Sequence, residues 1–140
     1  MSMTFKYKKI SRHDDVGDTY NPSVPVTLIH GNSSVDVIAL LDSGADISVI
    51  PKGVAEILGM SLSCEKEIVI GIGGTAEAAS SSMVVVIAKG HEKYSIRSSV
   101  KIIFDNGDTF QPILGREDFF ENFHITFKED EKKIVLKKTV

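Results

Sequence analysis

Short apolar runs, each broken within a few residues by Gly, Asn, Asp or Pro, set the limits on what this chain can fold into. Val24, Val26 and Leu28 alternate, His30-Gly31-Asn32-Ser33 supplies turn chemistry, and Val35 to Leu41 returns as a second strand. Ile47 to Ile50 is a further apolar run. Glu67 to Ile72 reads as a strand, Gly71-Ile72-Gly73-Gly74 as a turn, and Ala76 to Ala88 as its return. Gly90-His91 and Asp105-Asn106-Gly107-Asp108 mark two more turns, and a last hairpin joins Ile125–Phe127 to Ile134–Leu136 through a charged turn. Helical spacing occurs in two short places. Pro51 stands at a first helical position before Val54, Ala55, Ile57 and Leu58, with Gly59 as the stop, and Phe119, Phe120 and Phe123 follow Gly115-Arg116-Glu117-Asp118. Many short strands with so little helix predict an all-β, barrel-like domain.

The 140 residues suit one domain with one core. Residues 1–21 are polar and charged, with a weakly alternating piece from Thr4 to Ile10, and are expected to form an N-terminal arm or an edge strand; residues 22–140 make the domain. The 16 basic and 19 acidic residues nearly balance, which argues against a dedicated nucleic-acid or membrane-surface binder. Lysines at 6, 8 and 9 and at 132, 133, 137 and 138 read as solvated ends and edge strands. Cys64 is the single cysteine, so an intrachain disulfide framework and zinc-ribbon sites are both excluded. His13, His30, His91 and His124 lack metal-ligand spacing, and neither a metal nor a cofactor is expected. Without a signal-like segment or a long apolar run, a cytoplasmic, reducing location is expected.

The chemistry concentrates in Ala39-Leu40-Leu41-Asp42-Ser43-Gly44-Ala45-Asp46. An apolar strand delivers a carboxylate at its end, where burial is costly unless the charge is stabilised or the proton kept. The neighbouring hydroxyl can brace the loop, and glycine suits a tight turn. Such a setting fits a catalytic acid better than a surface loop. Ile102-Ile103-Phe104-Asp105-Asn106-Gly107 looks similar but has Asn106 in place of a hydroxyl residue, and reads as a hairpin turn.

Leu40-Leu41-Asp42-Ser43-Gly44-Ala45 resembles the signature of the retropepsins, single-domain aspartic peptidases of retroviral type: apolar residues, then Asp-Thr/Ser-Gly-Ala. Gly71-Ile72-Gly73-Gly74 resembles the tip of that family's flap, and Pro112-Ile113-Leu114-Gly115-Arg116 its later apolar-apolar-Gly-Arg segment. The three motifs stand in the family's order and span roughly Val24 to Phe123. The resemblance implies a retropepsin-like acid-protease β-barrel with a flap hairpin and one or two short helices. It also implies that Asp46 and Arg116 form a buried salt bridge under the site, with Arg116 as structural support. The hairpin before Asp42 is slightly longer than the retroviral one, the C-terminal hairpin extends past the helix as in cellular and bacterial relatives, and the arginine that reaches across the retroviral dimer has no equivalent.

One Asp-Ser-Gly per chain implies a homodimer whose twofold axis sets Asp42 beside its mate. Two carboxyl groups about 3 Å apart share a proton, so one activates water and the other protonates the carbonyl oxygen of the peptide. In this reading Asp42, Ser43 and Gly44 are catalytic. Ala45, Asp46, Ile47, Val49, Gly71, Ile72, Gly73 and Ile113 contact an extended polypeptide substrate, with Ile72 as the lid. A retropepsin-fold dimerisation or peptide-binding module with negligible turnover is the alternative, and a subunit needing a different partner chain is a third.

Overall fold

The computed structural model describes residues 1–10, 17–62, 66–71, 74–104 and 110–140. Along these the chain forms β1 (Met3–Lys6), β2 (Lys8–Ile10), β3 (Thr19–Asn21), β4 (Ser23–His30), β5 (Ser33–Leu41) and β6 (Ser48–Pro51). Helix α1 (Lys52–Ile57) follows, then β7 (Lys66–Gly71), β8 (Gly74–Lys89), β9 (Glu92–Ile103) and β10 (Ile113–Leu114). A 3-10 turn (Phe120–Asn122) leads into β11 (Phe123–Lys128) and β12 (Lys133–Lys138). The predicted all-β class is what is observed.

Strand periodicity explains the core. Val24, Val26 and Leu28 of β4 point inward, as do Met83, Val85 and Ile87 of β8 and Ile96, Val100 and Ile102 of β9. Strands β4-β5-β10-β6-β9-β8 are hydrogen-bonded in that order, and β8 returns to β4 through Thr27↔Val86 to Ile29↔Val84. The sheet therefore closes on itself as a six-stranded barrel, which removes its exposed edges. Strand β7 stays outside this ring and, among the described residues, pairs with β8 alone, from Lys66↔Ala79 to Gly71↔Gly74. That hairpin is the flap, and its tip positions Ile72 and Gly73 lie outside the described residues. So do Cys64, His13 and the Asp105–Asp108 turn.

Residues 3–6 form a strand: β1 pairs with β12, whose other edge holds β11. Met3 and Phe5 join the main core, and the Lys89 ammonium sits 5.3 Å above the Phe5 ring. Helix α1 begins one residue later than the sequence suggests. Pro51 is its extended N-cap (φ −74°, ψ 157°) and the last residue of β6, because a residue without an N–H can end a strand as readily as it can open a helix. The predicted stop holds. Gly59 takes φ +67°, its N–H donates to the Glu56 carbonyl, and the Met60 N–H donates to the Ala55 carbonyl, which is a Schellman closure. Of the four residues expected on the buried helical face, Ala55 and Leu58 are buried, while Ile57 is exposed.

The second helical pattern yields only the 3-10 turn. Asp118 adopts φ +68°, which interrupts a regular helical path. Phe119 is fully buried there, 5.1 Å from Phe123 between ring centroids, and Tyr94 meets Phe123 edge-on at 5.8 Å. These rings fasten the 3-10 turn and the terminal sheet to the barrel.

Candidate active site

Asp42 is the first residue beyond β5, and its position follows from what holds the end of that strand. The Leu40 N–H donates to the Pro112 carbonyl (2.8 Å), the Leu41 N–H to the Pro22 carbonyl (2.9 Å) and the Asp42 N–H to the Leu114 carbonyl (3.1 Å). Strand β10 runs parallel to β5 (Ile113↔Leu40, Leu114↔Leu41) and antiparallel to β6 (Ile113↔Val49). It thus lies between two strands that are consecutive in the chain, so the 42–47 loop must arch over its end. With Leu41 and Leu114 buried on either side, the carboxylate emerges half-buried where the apolar layer stops.

The loop closes on itself through the Ala45 N–H to the Asp42 carbonyl (3.1 Å). The Gly44 N–H donates to Asp42 Oδ1 (2.8 Å), which fixes the orientation of the carboxyl group. What constrains residue 44 is space beside the Asp42 carboxyl rather than an unusual φ. A Cβ there would stand 3.2 Å from the same Oδ1, tighter than most real contacts. Ser43 and Gly44 are exposed, and Ala45, Ile47, Val49 and Ile113 are half-buried around them.

A second loop braces the first. Gly115 approaches so closely that a Cβ would come within 2.8 Å of the Ala45 carbonyl oxygen and the Ile47 carbonyl carbon. The Arg116 N–H donates to the Ala45 carbonyl (2.9 Å) and the Glu117 N–H to the Asp46 carbonyl (2.8 Å). The Arg116 guanidinium also pairs with the Asp46 carboxylate, as the resemblance implies. Its setting differs from expectation: the side chains are 58% and 81% exposed, so the pair is a surface one in the single chain. The two loops meet at main-chain level, and the long side chains extend past that contact into solvent.

Sequence reasoning missed two supports. Ser48 is fully buried, and its Oγ accepts the Gly115 N–H at 3.1 Å, joining the start of β6 to the second loop. A hydroxyl inside the apolar run Ile47–Ile50 was the available signal. The other support is a closed ring of three hydrogen bonds. Ser23 Oγ donates to Asn21 Oδ1 (2.5 Å), Asn21 Nδ2 to Gln111 Oε1 (3.0 Å) and Gln111 Nε2 to Ser23 Oγ (2.6 Å). These residues flank Pro22 and Pro112, whose carbonyls hold Leu41 and Leu40. The ring therefore positions both acceptors at the end of β5, and nothing local in the sequence announces it.

Residues 24–117 match a family model described as aspartyl protease. The chain belongs to the aspartyl protease family. No curated protein sequence matches it. Among solved structures, a retropepsin-like aspartic protease from Rickettsia conorii aligns with a TM-score of 0.61 at 18% identity, over 97% of this chain and 98% of that one. The chain therefore has the retropepsin-like fold. EIAV protease bound to an inhibitor aligns at 22% identity over 77% of this chain and 89% of the other, with a TM-score of 0.44.

The match brackets the Asp42 loop, the flap hairpin and the Gly115-Arg116 loop. Gly71 sits at the described end of the flap and pairs with Gly74. Among the described residues, no group of three His, Cys, Asp or Glu side chains could hold a metal ion. Nor is any helix among them long and apolar enough to cross a membrane.

Proposed function

We propose that this aspartyl protease is a homodimeric endopeptidase whose two Asp42 carboxyl groups, one per chain, activate a single water. What carries the reading is the delivery of Asp42: one half-buried carboxylate just past the buried Ala39 and Leu41 at the end of β5, in a loop tied down by main-chain hydrogen bonds. A single chain provides one Asp-Ser-Gly loop, and a twofold axis supplies the second. Two adjacent carboxyl groups resist double ionisation and hold one proton between them. The ionised member removes a proton from water as the oxygen attacks the peptide carbonyl carbon, and the protonated member gives its proton to the carbonyl oxygen. Collapse of that tetrahedral adduct breaks the C–N bond: the amine leaves with the dyad's proton, and one hydroxyl of the adduct gives its proton back to the dyad as the carboxyl product forms.

The remaining roles belong to the same proposal. Ser43 hydrogen-bonds across the axis, and the Gly44 carbonyl receives a substrate N–H. Ala45, Asp46, Ile47, Val49 and Ile113 border an extended polypeptide, and Gly71, Ile72 and Gly73 close over it. Residues 22–140 form the peptidase domain, and the single thiol suits a reducing, cytoplasmic setting.

Cleavage of denatured protein substrates tests the reading. Wild-type protein is expected to cut at acidic to near-neutral pH and to be blocked by a statine-type transition-state mimic. Asp42→Asn is expected to lose cleavage while keeping its circular dichroism spectrum and its sedimentation as a dimer. Equal cleavage by the variant, or a monomer that cleaves, overturns the assignment.

A further inference from the structure

The flap has a structural problem that the barrel strands do not share. Among the described residues, strand β7 pairs with β8 on one edge only. Its face nearest the barrel interior carries Ile68 and Ile70, which are 72% and 85% exposed and give the hairpin no packing anchor in the single chain. Among the described residues, the side-chain ties between the flap and the barrel lie at its root.

Charged side chains occupy that root on both faces. Register places Glu67 opposite Ala78 of β8 and Ser80 opposite Lys101 of β9, so Glu67, Ser80 and Lys101 share the outer face. There the Glu67 carboxylate reaches across the full width of β8 to pair with the Lys101 ammonium, and Ser80 Oγ donates to the same carboxylate oxygen at 3.3 Å. On the other face Lys66 lies 3.8 Å from the Glu77 carboxylate and 5.0 Å from the centre of the Phe104 ring, while the Phe104 N–H donates to the Glu77 carbonyl at 2.9 Å. Lys101 hydrogen-bonding, and after it Lys101 charge, hold the Glu67 carboxyl below the usual glutamate range.

We propose that the Glu67–Lys101 pair is a latch that positions the flap from its outer face, making these two residues positioning residues for substrate capture. It joins β7 to β9, a barrel strand with which β7 shares no backbone pairing among the described residues. Ser80 steers the Glu67 carboxylate, while Lys66 pairs with Glu77 of β8 and lies over the Phe104 ring just beyond β9. The latch leaves the Ile68–Ile70 face open to an occupant. Its effect on turnover rests on the peptidase reading above; its effect on the flap does not.

Hydrogen exchange and steady-state kinetics test the two parts separately, using the full chain. In Glu67→Gln and Lys101→Met, amides of Lys66–Gly71 are expected to exchange roughly two- to fivefold faster, the range for a partly exposed ion pair, while those of β4 and β5 hold their rates. KM for a peptide substrate should rise by a similar factor with kcat little changed, because a misplaced flap weakens capture rather than chemistry. The exchanged pair, Glu67→Lys with Lys101→Glu, should restore both readouts toward wild type. Unchanged β7 exchange in both single variants, or an exchanged pair no better than the singles, overturns the latch. A wild-type protein that cleaves nothing removes the peptidase reading and leaves the exchange result to decide the latch alone.

Discussion

Replacing Gly115 with alanine probes the contact that holds the candidate active-site loop. The added Cβ would sit 2.8 Å from the Ala45 oxygen, 2.8 Å from the Ile47 carbonyl carbon and 2.9 Å from the Ile47 oxygen. All three are backbone atoms, so no flexible side chain can swing aside. Either the strain stays, at about 1–3 kcal/mol for overpacking, or the loops separate. Separation would break the Arg116 N–H to Ala45 and Glu117 N–H to Asp46 bonds, at about 0.5–1.5 kcal/mol each. Both routes converge on about 2 kcal/mol. With an unfolding entropy of about 2.1 cal/mol/K per residue, or about 0.3 kcal/mol/K for the chain, Tm should fall by about 7 °C. Thermal unfolding followed by circular dichroism, at equal protein concentration so that association contributes equally, measures it. Gly53→Ala is the control. Nothing lies within 4 Å of its added Cβ, and a glycine in α1 gives way to a better helix former, so Tm should rise by a few degrees, about 1 kcal/mol. A Gly115→Ala Tm within about 2 °C of wild type, on that same entropy scale, refutes the close-contact reasoning.

Two other outcomes follow from packing and charge. Phe119→Ala removes a fully buried ring that contacts Phe120 and Phe123, and urea unfolding should show a loss of about 3–5 kcal/mol with the largest effect on the terminal sheet. Titration followed by carboxyl-carbon NMR should place Glu67 below the usual glutamate range in the wild type and back toward that range in Lys101→Met. The sign follows from linkage. A carboxyl depressed in the folded state contributes stability above its unfolded pKa, and that contribution is lost as pH falls through the folded value. The groups facing Glu67 are Lys101 of β9 and Ser80 of β8, so acid should loosen the flap root first.

Much of the site was readable because its signals are local. The apolar run ending at Asp42, the Gly31-Asn32 turn and the Gly59 stop all express backbone or burial preferences within a few residues, and each is found where it was expected. The Phe119–Phe123 pattern misled. Helical spacing was present, but Asp118 at φ +68° and the burial of Phe119 against Phe123 left room only for a 3-10 turn. The Asp46–Arg116 pair was legible as a partnership and illegible as an environment, since solvent exposure depends on everything around it.

By itself the sequence determined which residues alternate into strands, where the chain turns, and that one carboxylate stands at the end of an apolar run beside a hydroxyl and a glycine. Tertiary structure alone decided that β10 lies between β5 and β6, that β8 closes on β4, and that Asn21, Ser23 and Gln111 form a ring beneath the loop. The reason is separation along the chain. Periodicity records which face of a strand is buried but not which strand lies beside it. Contacts such as Ser48 to Gly115, 67 residues apart, and Asn21 to Gln111, 90 apart, come into being only when the barrel closes.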